Sequence, residues 1–399
     1  MVATSVLATL LVASVASLFM AWAIGAGSSG STPFAPAVGA NAISVMRAGF
    51  FVGILGLSGA VLQGANVTET VGGGLVLFPD GGGLSAAAAI VALMMAALLV
   101  AVGIFTGYPI ATAFTVTGAV VGVGLAMGGE PATAKYTEIV SLWVAVPFVG
   151  GGIAFATAWL LRHESVPERQ LVPVLGWLVA ALLANVRFVL LAPGSEQASV
   201  ARAIANSLAT PALPTIAGVT LLAGLLGGGL LYRDVRADPE AGQRHFLLVL
   251  GGLVAFSAGG SQVGLALGPL LPLLGDGPAS AVPITGVLLF GGVGLLIGSW
   301  TGAPRMIKAI SQDYSSLGPR RSIAALIPSF IIAQTAVFFG LPVSFNEIIV
   351  SAIVGSGAAA GDGKVSRGKM GKTVLAWLGS LVLAFALSYG AFLAVDSLV

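Results

Sequence analysis

Apolar runs about as long as a membrane is thick recur from one end of this chain to the other, and that recurrence limits its folds more than any other feature. Twelve runs fall near residues 3–24, 43–63, 84–106, 109–128, 138–161, 170–192, 210–232, 246–270, 281–300, 322–340, 342–360 and 373–395. A hydrocarbon core about 30 Å thick takes roughly 20 apolar residues per helix. Backbone polar groups inside it must bond within their own segment, which a helix achieves. The pattern predicts an all-α polytopic membrane protein with about 12 transmembrane segments. Charge agrees: 8% of the 399 residues are charged against 57% hydrophobic, too little to cover a soluble protein of this size. Several runs carry glycine or proline and are candidates to enter and leave by one face. No basic residue precedes the first run, unlike a cleavable secretory signal, so it is expected to stay as a helix.

Most chemistry is excluded by the same inventory. Without cysteine there are no disulfides, thiolates or Cys-bound metals. His163 and His245 sit in basic connections, where a solvated imidazole is expected rather than a metal ligand or proton relay. There is no Gly-rich phosphate loop, nucleophile elbow or soluble carboxylate pair, and no connection is long enough for a catalytic domain. Neither an enzyme nor a nucleic-acid partner is expected.

Lysine and arginine gather in four connections: Arg162 and Arg169; Arg233, Arg236 and Arg244; Arg305, Lys308, Arg320 and Arg321; and Lys364, Arg367, Lys369 and Lys372. Two runs separate each consecutive pair of clusters, so if every run crosses, all four share a face. The positive-inside rule makes that face cytoplasmic. Counting back and forward then puts both termini outside a multi-pass protein of the cell membrane, with Arg47 inside and Lys135 an outside exception beside two acids.

The chain also contains itself twice. AWAIGAGSSG at 21–30 aligns with AFSAGGSQVG at 255–264, and TGYPIATAFTVTGAVVGVGLAMGG at 106–129 aligns with FGLPVSFNEIIVSAIVGSGAAAGD at 339–362. Gly107 falls over Gly340 and Pro109 over Pro342. One duplication explains both matches, giving halves at 1–161 and 246–399 joined by connecting helices and basic loops at 162–245. By the crossing count the halves have opposite orientation. Inverted repeats with interrupted helices at matching positions point to a secondary transporter holding its substrate near the midplane.

Interrupted helices are expected at 25–36 and 256–270, with a second motif per half at 106–118 and 339–351. A half-helix starting at such a break turns unpaired N–H groups toward the cavity, favouring an anion by roughly 0.3 to 2 kcal/mol per helix end. The candidate anion-binding residues are Ser28, Ser29, Ser31, Thr32 and Thr112 in the first half, and Ser261, Gln262, Ser344 and Asn346 in the second. Small residues that merely let helices approach closely are the competing explanation.

In these tracts the chain resembles the inorganic phosphate transporter (PiT) family, whose signature is a Gly-Ala-Asn-Asp-Val-Ala-Asn type stretch, once per half. AWAIGAGSSGST carries the frame of the first copy, and FSAGGSQVGLALGPL that of the second, through Gly268, Pro269 and Leu270. GAVLQGANVTETV at 59–71 resembles the stretch after the first signature, and GLPVSFNE at 340–347 the Gly-Leu-Pro-Val-Ser-Thr-Thr-His element. The resemblance spans roughly residues 20–360 and implies transport of phosphate with sodium. This chain departs from the pattern where the Asn-Asp pairs belong, having Gly27 and Ser28 in one copy and Ser261 and Gln262 in the other; Ser31 and Leu265 replace the second asparagines, and Glu347 the histidine. Losing both aspartates weakens the implied sodium site, which would lie near Ser28 and Gln262, and opens sodium-independent or proton-coupled transport.

Glu69 and Glu347 are the acids left within the runs, and an intramembrane carboxylate costs about 2.5 kcal/mol or more, so it defaults to a functional role. Glu347, five residues past Pro342, is the stronger candidate for proton coupling; Glu69 could equally cap a helix. Phosphate near neutral pH keeps a proton and needs an acceptor, whereas sulfate suits donors alone. Inorganic phosphate is the first expectation, carried by alternating access in the bilayer, within a homodimer if two copies associate. A sulfate or other oxyanion permease is the alternative, and a channel-like anion conductor comes third.

Overall fold

The computed structural model describes residues 2–79, 81–191, 197–275, 282–361 and 365–398. The first half is built from α1 (Val2–Gly27), α2 (Ala35–Gly39), α3 (Val45–Gln63), α4 (Ala65–Gly73), α5 (Ala86–Thr106), α6 (Thr112–Ala126) and α7 (Thr133–Leu160). Between the halves lie α8 (Glu168–Leu183), α9 (Val200–Ser207) and α10 (Ala212–Ala237). The second half repeats the first in order: α11 (Pro239–Leu267), α12 (Leu271–Gly275), α13 (Ile284–Thr301), α14 (Ala303–Asp313), α15 (Pro319–Phe339), α16 (Phe345–Ala358) and α17 (Arg367–Asp396). Strands are confined to two short antiparallel pairs, β1 (Val76–Leu77) with β2 (Glu130–Pro131) and β3 (Arg187–Phe188) with β4 (Ala198–Ser199).

Each of the twelve apolar runs contains a helix, but they do not all cross. Among the described residues nine helices are long and apolar enough to span a membrane. The runs at 109–128, 170–192 and 342–360 give α6, α8 and α16, of 15, 16 and 14 residues. At ~1.5 Å per residue these reach about 21–24 Å, short of the hydrocarbon thickness. α8 still crosses beside α10, since Arg162 before it and Arg244 after α10 line one cavity. α5 and α6 instead form a hairpin whose outer ends are tied by the β1–β2 pair. α15 and α16 form its counterpart, closed by a bridge between Ser315 and Val365.

The hairpins enter from opposite faces. α7 leaves β2, runs 28 residues or about 42 Å, and ends beside Arg162. Arg162, Arg244, Arg320 and Arg321 line one cavity, and Lys369 pairs with Asp313 beside the Ser315–Val365 bridge. Basic residues of all four clusters therefore lie on the face from which α15–α16 enters, and β1–β2 lies on the other, where Lys135 pairs with Glu138. Lys364 falls outside the described residues.

Packing interleaves the halves. α1 packs on α13 and α3 on α11; α6 lies against α17 and α16 against α7, so each half-helix is supported by the last long helix of the other repeat. Glycine makes the closest crossing: a Cβ on Gly59 would run into the carbonyl of Phe256, and one on Gly259 into that of Gly56. The first expected interruption comes at Gly27, where α1 stops. In the second half α11 continues through Ser261 and Gln262 to Leu267, so the break in the 256–270 tract comes at its far end, at Gly268.

Candidate functional site

Gly107 and Gly340 end α5 and α15 in the left-handed conformation, at φ 74° and 63°, which reverses the chain within a few residues. Extended segments follow, through Pro109 and Pro342, to the N-termini of α6 and α16. Each is held from the opposite repeat: Trp377 Nε1 donates to the Pro109 carbonyl at 2.8 Å, and Trp143 Nε1 to the Pro342 carbonyl at 2.9 Å. The two tips meet through Asn346, whose Nδ2 donates to the Ile110 carbonyl at 2.6 Å and to that of Gly27, at the end of α1, at 2.9 Å.

Past Gly27 the chain turns rather than fraying. The backbone N–H groups of Ser31 and Thr32 both donate to the Ser28 carbonyl at 3.0 Å, and their hydroxyls donate to the same oxygen at 3.1 and 3.0 Å. Those two side chains are thus used in shaping the turn. Ser28 itself faces inward, with Thr112 Oγ1 at 3.3 Å from its hydroxyl and 3.2 Å from Gln262 Oε1. Gln262 Nε2 donates to the Val343 carbonyl at 2.7 Å. One network therefore joins the end of α1, the start of α6, the middle of α11 and the segment before α16. Ser28, Ser29, Ser31, Thr32, Thr112, Ser261, Gln262, Ser344, Asn346 and Glu347 are all buried. Glu69 is exposed on α4 and stands outside this set.

Several buried polar atoms of the set have no hydrogen-bond partner among the described residues: Ser261 Oγ, Ser344 Oγ, Asn346 Oδ1 and Glu347 Oε2. Unsatisfied buried groups cost about 1–3 kcal/mol each, so these atoms, three of them at the start of α16, are open to a ligand; six other buried atoms elsewhere in the described residues are unpartnered too. Ser344 and Glu347 have the spacing of a reciprocal helix cap, yet α16 has no side-chain cap, and neither does α6. Two half-helix N-termini thus keep their N–H groups uncapped beside hydroxyl and amide groups. That arrangement suits a small oxyanion without a fixed positive charge. Glu347, 1% exposed, adds one proton acceptor to a set otherwise rich in donors. For a cation the same surroundings offer neutral oxygens with Glu347 as the acid; no group of three or more His, Asp or Glu occurs among the described residues.

Reading residues alone missed Trp143 and Trp377, although they are separated by the offset of the repeat and could have been found by extending the alignment. It also missed a second polar group, in which Gln63 and Gln334 bond each other and Gln334 Nε2 donates to Ser257 at 2.6 Å, one turn before Ser261. Nothing in the repeat marks that group, because position 101, opposite Gln334, is alanine.

Residues 24–388 match the Phosphate transporter family. The chain is 26% identical to the "Putative phosphate permease" of Chlamydia trachomatis, over 96% of this chain and 97% of that one. It is also 26% identical to the inorganic phosphate transporter 2-1, chloroplastic, of Arabidopsis thaliana, over 90% of this chain and 68% of the relative. A solved structure titled "The sodium-dependent phosphate transporter" superimposes with a TM-score of 0.81 at 21% identity, covering 98% of this chain and all of that one.

Proposed function

This chain belongs to the phosphate transporter family, and from that premise we propose that it carries inorganic phosphate across the cell membrane by alternating access. The observation that carries the reading is the cluster of buried, unpartnered groups at the start of α16: Ser344 Oγ, Asn346 Oδ1 and Glu347 Oε2, with Ser261 Oγ from α11. Phosphate would lie between the N-termini of α6 and α16, taking hydrogen bonds from backbone N–H groups and from Ser261, Ser344 and Thr112. Glu347 would accept the proton that phosphate retains. The two hairpins would shift against the long helices that support them, exposing the anion to one face and then the other. The charged face is cytoplasmic on the positive-inside rule, with both termini outside.

Sulfate is the competing substrate because both signature aspartates are replaced, and Glu347 is the group that separates the two. Sodium remains a candidate coupling ion near Ser28 and Gln262, since the structural neighbour is titled sodium-dependent; a proton through Glu347 is the other. The test is uptake of labelled phosphate into proteoliposomes under imposed sodium or proton gradients, with sulfate as competitor. Gradient-driven phosphate accumulation is expected, lost in Asn346→Ala. Accumulation of sulfate in preference to phosphate would overturn the substrate assignment, and stimulation by sodium alone, unchanged in Glu347→Gln, would remove proton coupling. Cross-linking in the same vesicles reads whether the transporter works as a homodimer.

A further inference from the structure

The buried cluster uses none of the arginines on the charged face. Arg162, Arg244, Arg320 and Arg321 line an open cavity of about 1010 Å3 there. Arg320 is committed, its Nε and Nη2 meeting the two oxygens of Glu168 at 3.0 and 2.7 Å. The other three have no carboxylate partner among the described residues. Arg162 Nη1 donates to the Ala359 carbonyl at 2.8 Å, Arg244 Nε to the Ala42 carbonyl at 3.0 Å, and Arg321 Nη1 to Ser316 Oγ at 3.1 Å. The wall also carries the carboxylates of Asp238, which caps α11 by accepting from Glu240 N and Ala241 N, and of Glu240. With Glu168 these are three acids against four arginines, and among the described residues neither Asp238 nor Glu240 is within ion-pair distance of an arginine. Arg162 and Arg321 line the same wall. α15 also starts in this wall, at Gly318, with no side-chain cap.

We propose that this cavity is a second oxyanion site, in which Arg162, Arg244 and Arg321 hold a phosphate group outside the buried cluster. Guanidinium forks with spare N–H donors match phosphate oxygens, and a like-charged group of them gains from an anion between them. The group could belong to free phosphate approaching the buried site or to an anionic lipid headgroup at the membrane surface. The neutral partners give the site a second consequence. Ala42 lies between α2 and α3, and Ala359 follows α16, so two arginines tie down segments flanking the buried cluster. The identity of the anion rests on the phosphate reading above; the site does not.

Equilibrium dialysis of labelled inorganic phosphate against the intact chain in phosphatidylcholine nanodiscs tests this. Two phosphates per chain are expected for the wild type and one for the double variant Arg162→Gln, Arg321→Gln, with the corresponding lysine pair keeping the second at lower affinity. Should the glutamine pair fail to fold, Arg244→Gln, on an exposed side chain, repeats the measurement. Adding phosphatidylglycerol separates the sources: a second phosphate displaced by retained lipid assigns the site to headgroups, and one that persists assigns it to the free anion. If the wild type and the arginine variants bind equal numbers and no anionic lipid is retained, the site is overturned. Failure of the buried site is distinct, because Asn346→Ala would then leave the count unchanged while the arginine pair still removed one.

Discussion

Glu347 stands at the third position of α16, three residues after Ser344, and the pair leaves the helix end uncapped. A residue that declines its local partner is available to a ligand. Glu347→Gln keeps the shape but replaces the carboxylate with a neutral amide that cannot take up a proton, so phosphate turnover in proteoliposomes should fall roughly 10- to 100-fold, the worth of a hydrogen bond to a charged group, while the protein stays folded. Sulfate, if carried, should lose far less. The tryptophan anchors predict a different loss. Trp143→Phe or Trp377→Phe strands a proline carbonyl, costing about 1–3 kcal/mol, and each should lower both thermal stability and turnover. Trp143 also stacks on Phe114 with ring centres 4.0 Å apart, so a phenylalanine there keeps part of its packing. At the charged face, burial pushes the Tyr314 phenol above its ordinary value of 10.0, opposed by its hydrogen bond to Thr373. The folded protein thus keeps a proton that the unfolded chain releases. This contribution to stability is complete below about pH 10 and is lost as pH rises beyond it, which thermal denaturation across alkaline pH would read.

At the scale of elements, the hairpin tips are the parts most dependent on one backbone conformation. Alanine in the left-handed region costs about 1–2 kcal/mol, and both Gly107 and Gly340 require that region. Their surroundings differ. A Cβ on Gly107 meets nothing within 4 Å, whereas one on Gly340 would sit 3.0 Å from the Asn66 carbonyl. Gly340→Ala should therefore lower the melting temperature more than Gly107→Ala, and transport with it. The proline and glycine positions of these tips were legible because the repeat aligned them. The hairpin nature of α5–α6 and α15–α16 was not, since a run of apolar residues reads alike in a crossing helix and in one that turns back. Only the closures at β1–β2 and Ser315–Val365 distinguish them.

For the whole molecule, the hairpin count leaves the orientation of the long helices unchanged, because two short crossings and one re-entrant pair both return the chain to the same face. The absence of cysteine makes this directly testable. Leu77→Cys and Glu130→Cys should label from one side of the membrane, and Glu164→Cys and Gln312→Cys from the other, the latter two only after permeabilisation of intact cells. Labelling of Glu130→Cys and Glu164→Cys from the same side would rule out the path of α7 drawn above.

The sequence by itself determined the solvent of this protein, its helical class and the gathering of its charges in a few connections, because hydrophobic length and charge asymmetry are properties of local composition. It also selected most of the residues that meet in the buried network, since they lie in tracts that the repeat sets opposite one another, although among the polar side chains only Ser28 and Gln262 are themselves aligned. Tertiary structure decided which of those side chains are free. Ser31 and Thr32 are turned onto the Ser28 carbonyl, while Ser261, Ser344, Asn346 and Glu347 keep buried atoms without partners. Whether a hydroxyl is used in a turn or left for a ligand depends on neighbours brought from distant parts of the chain, and so does the meeting of Asn346 with Ile110 at the point where the two repeats interlock.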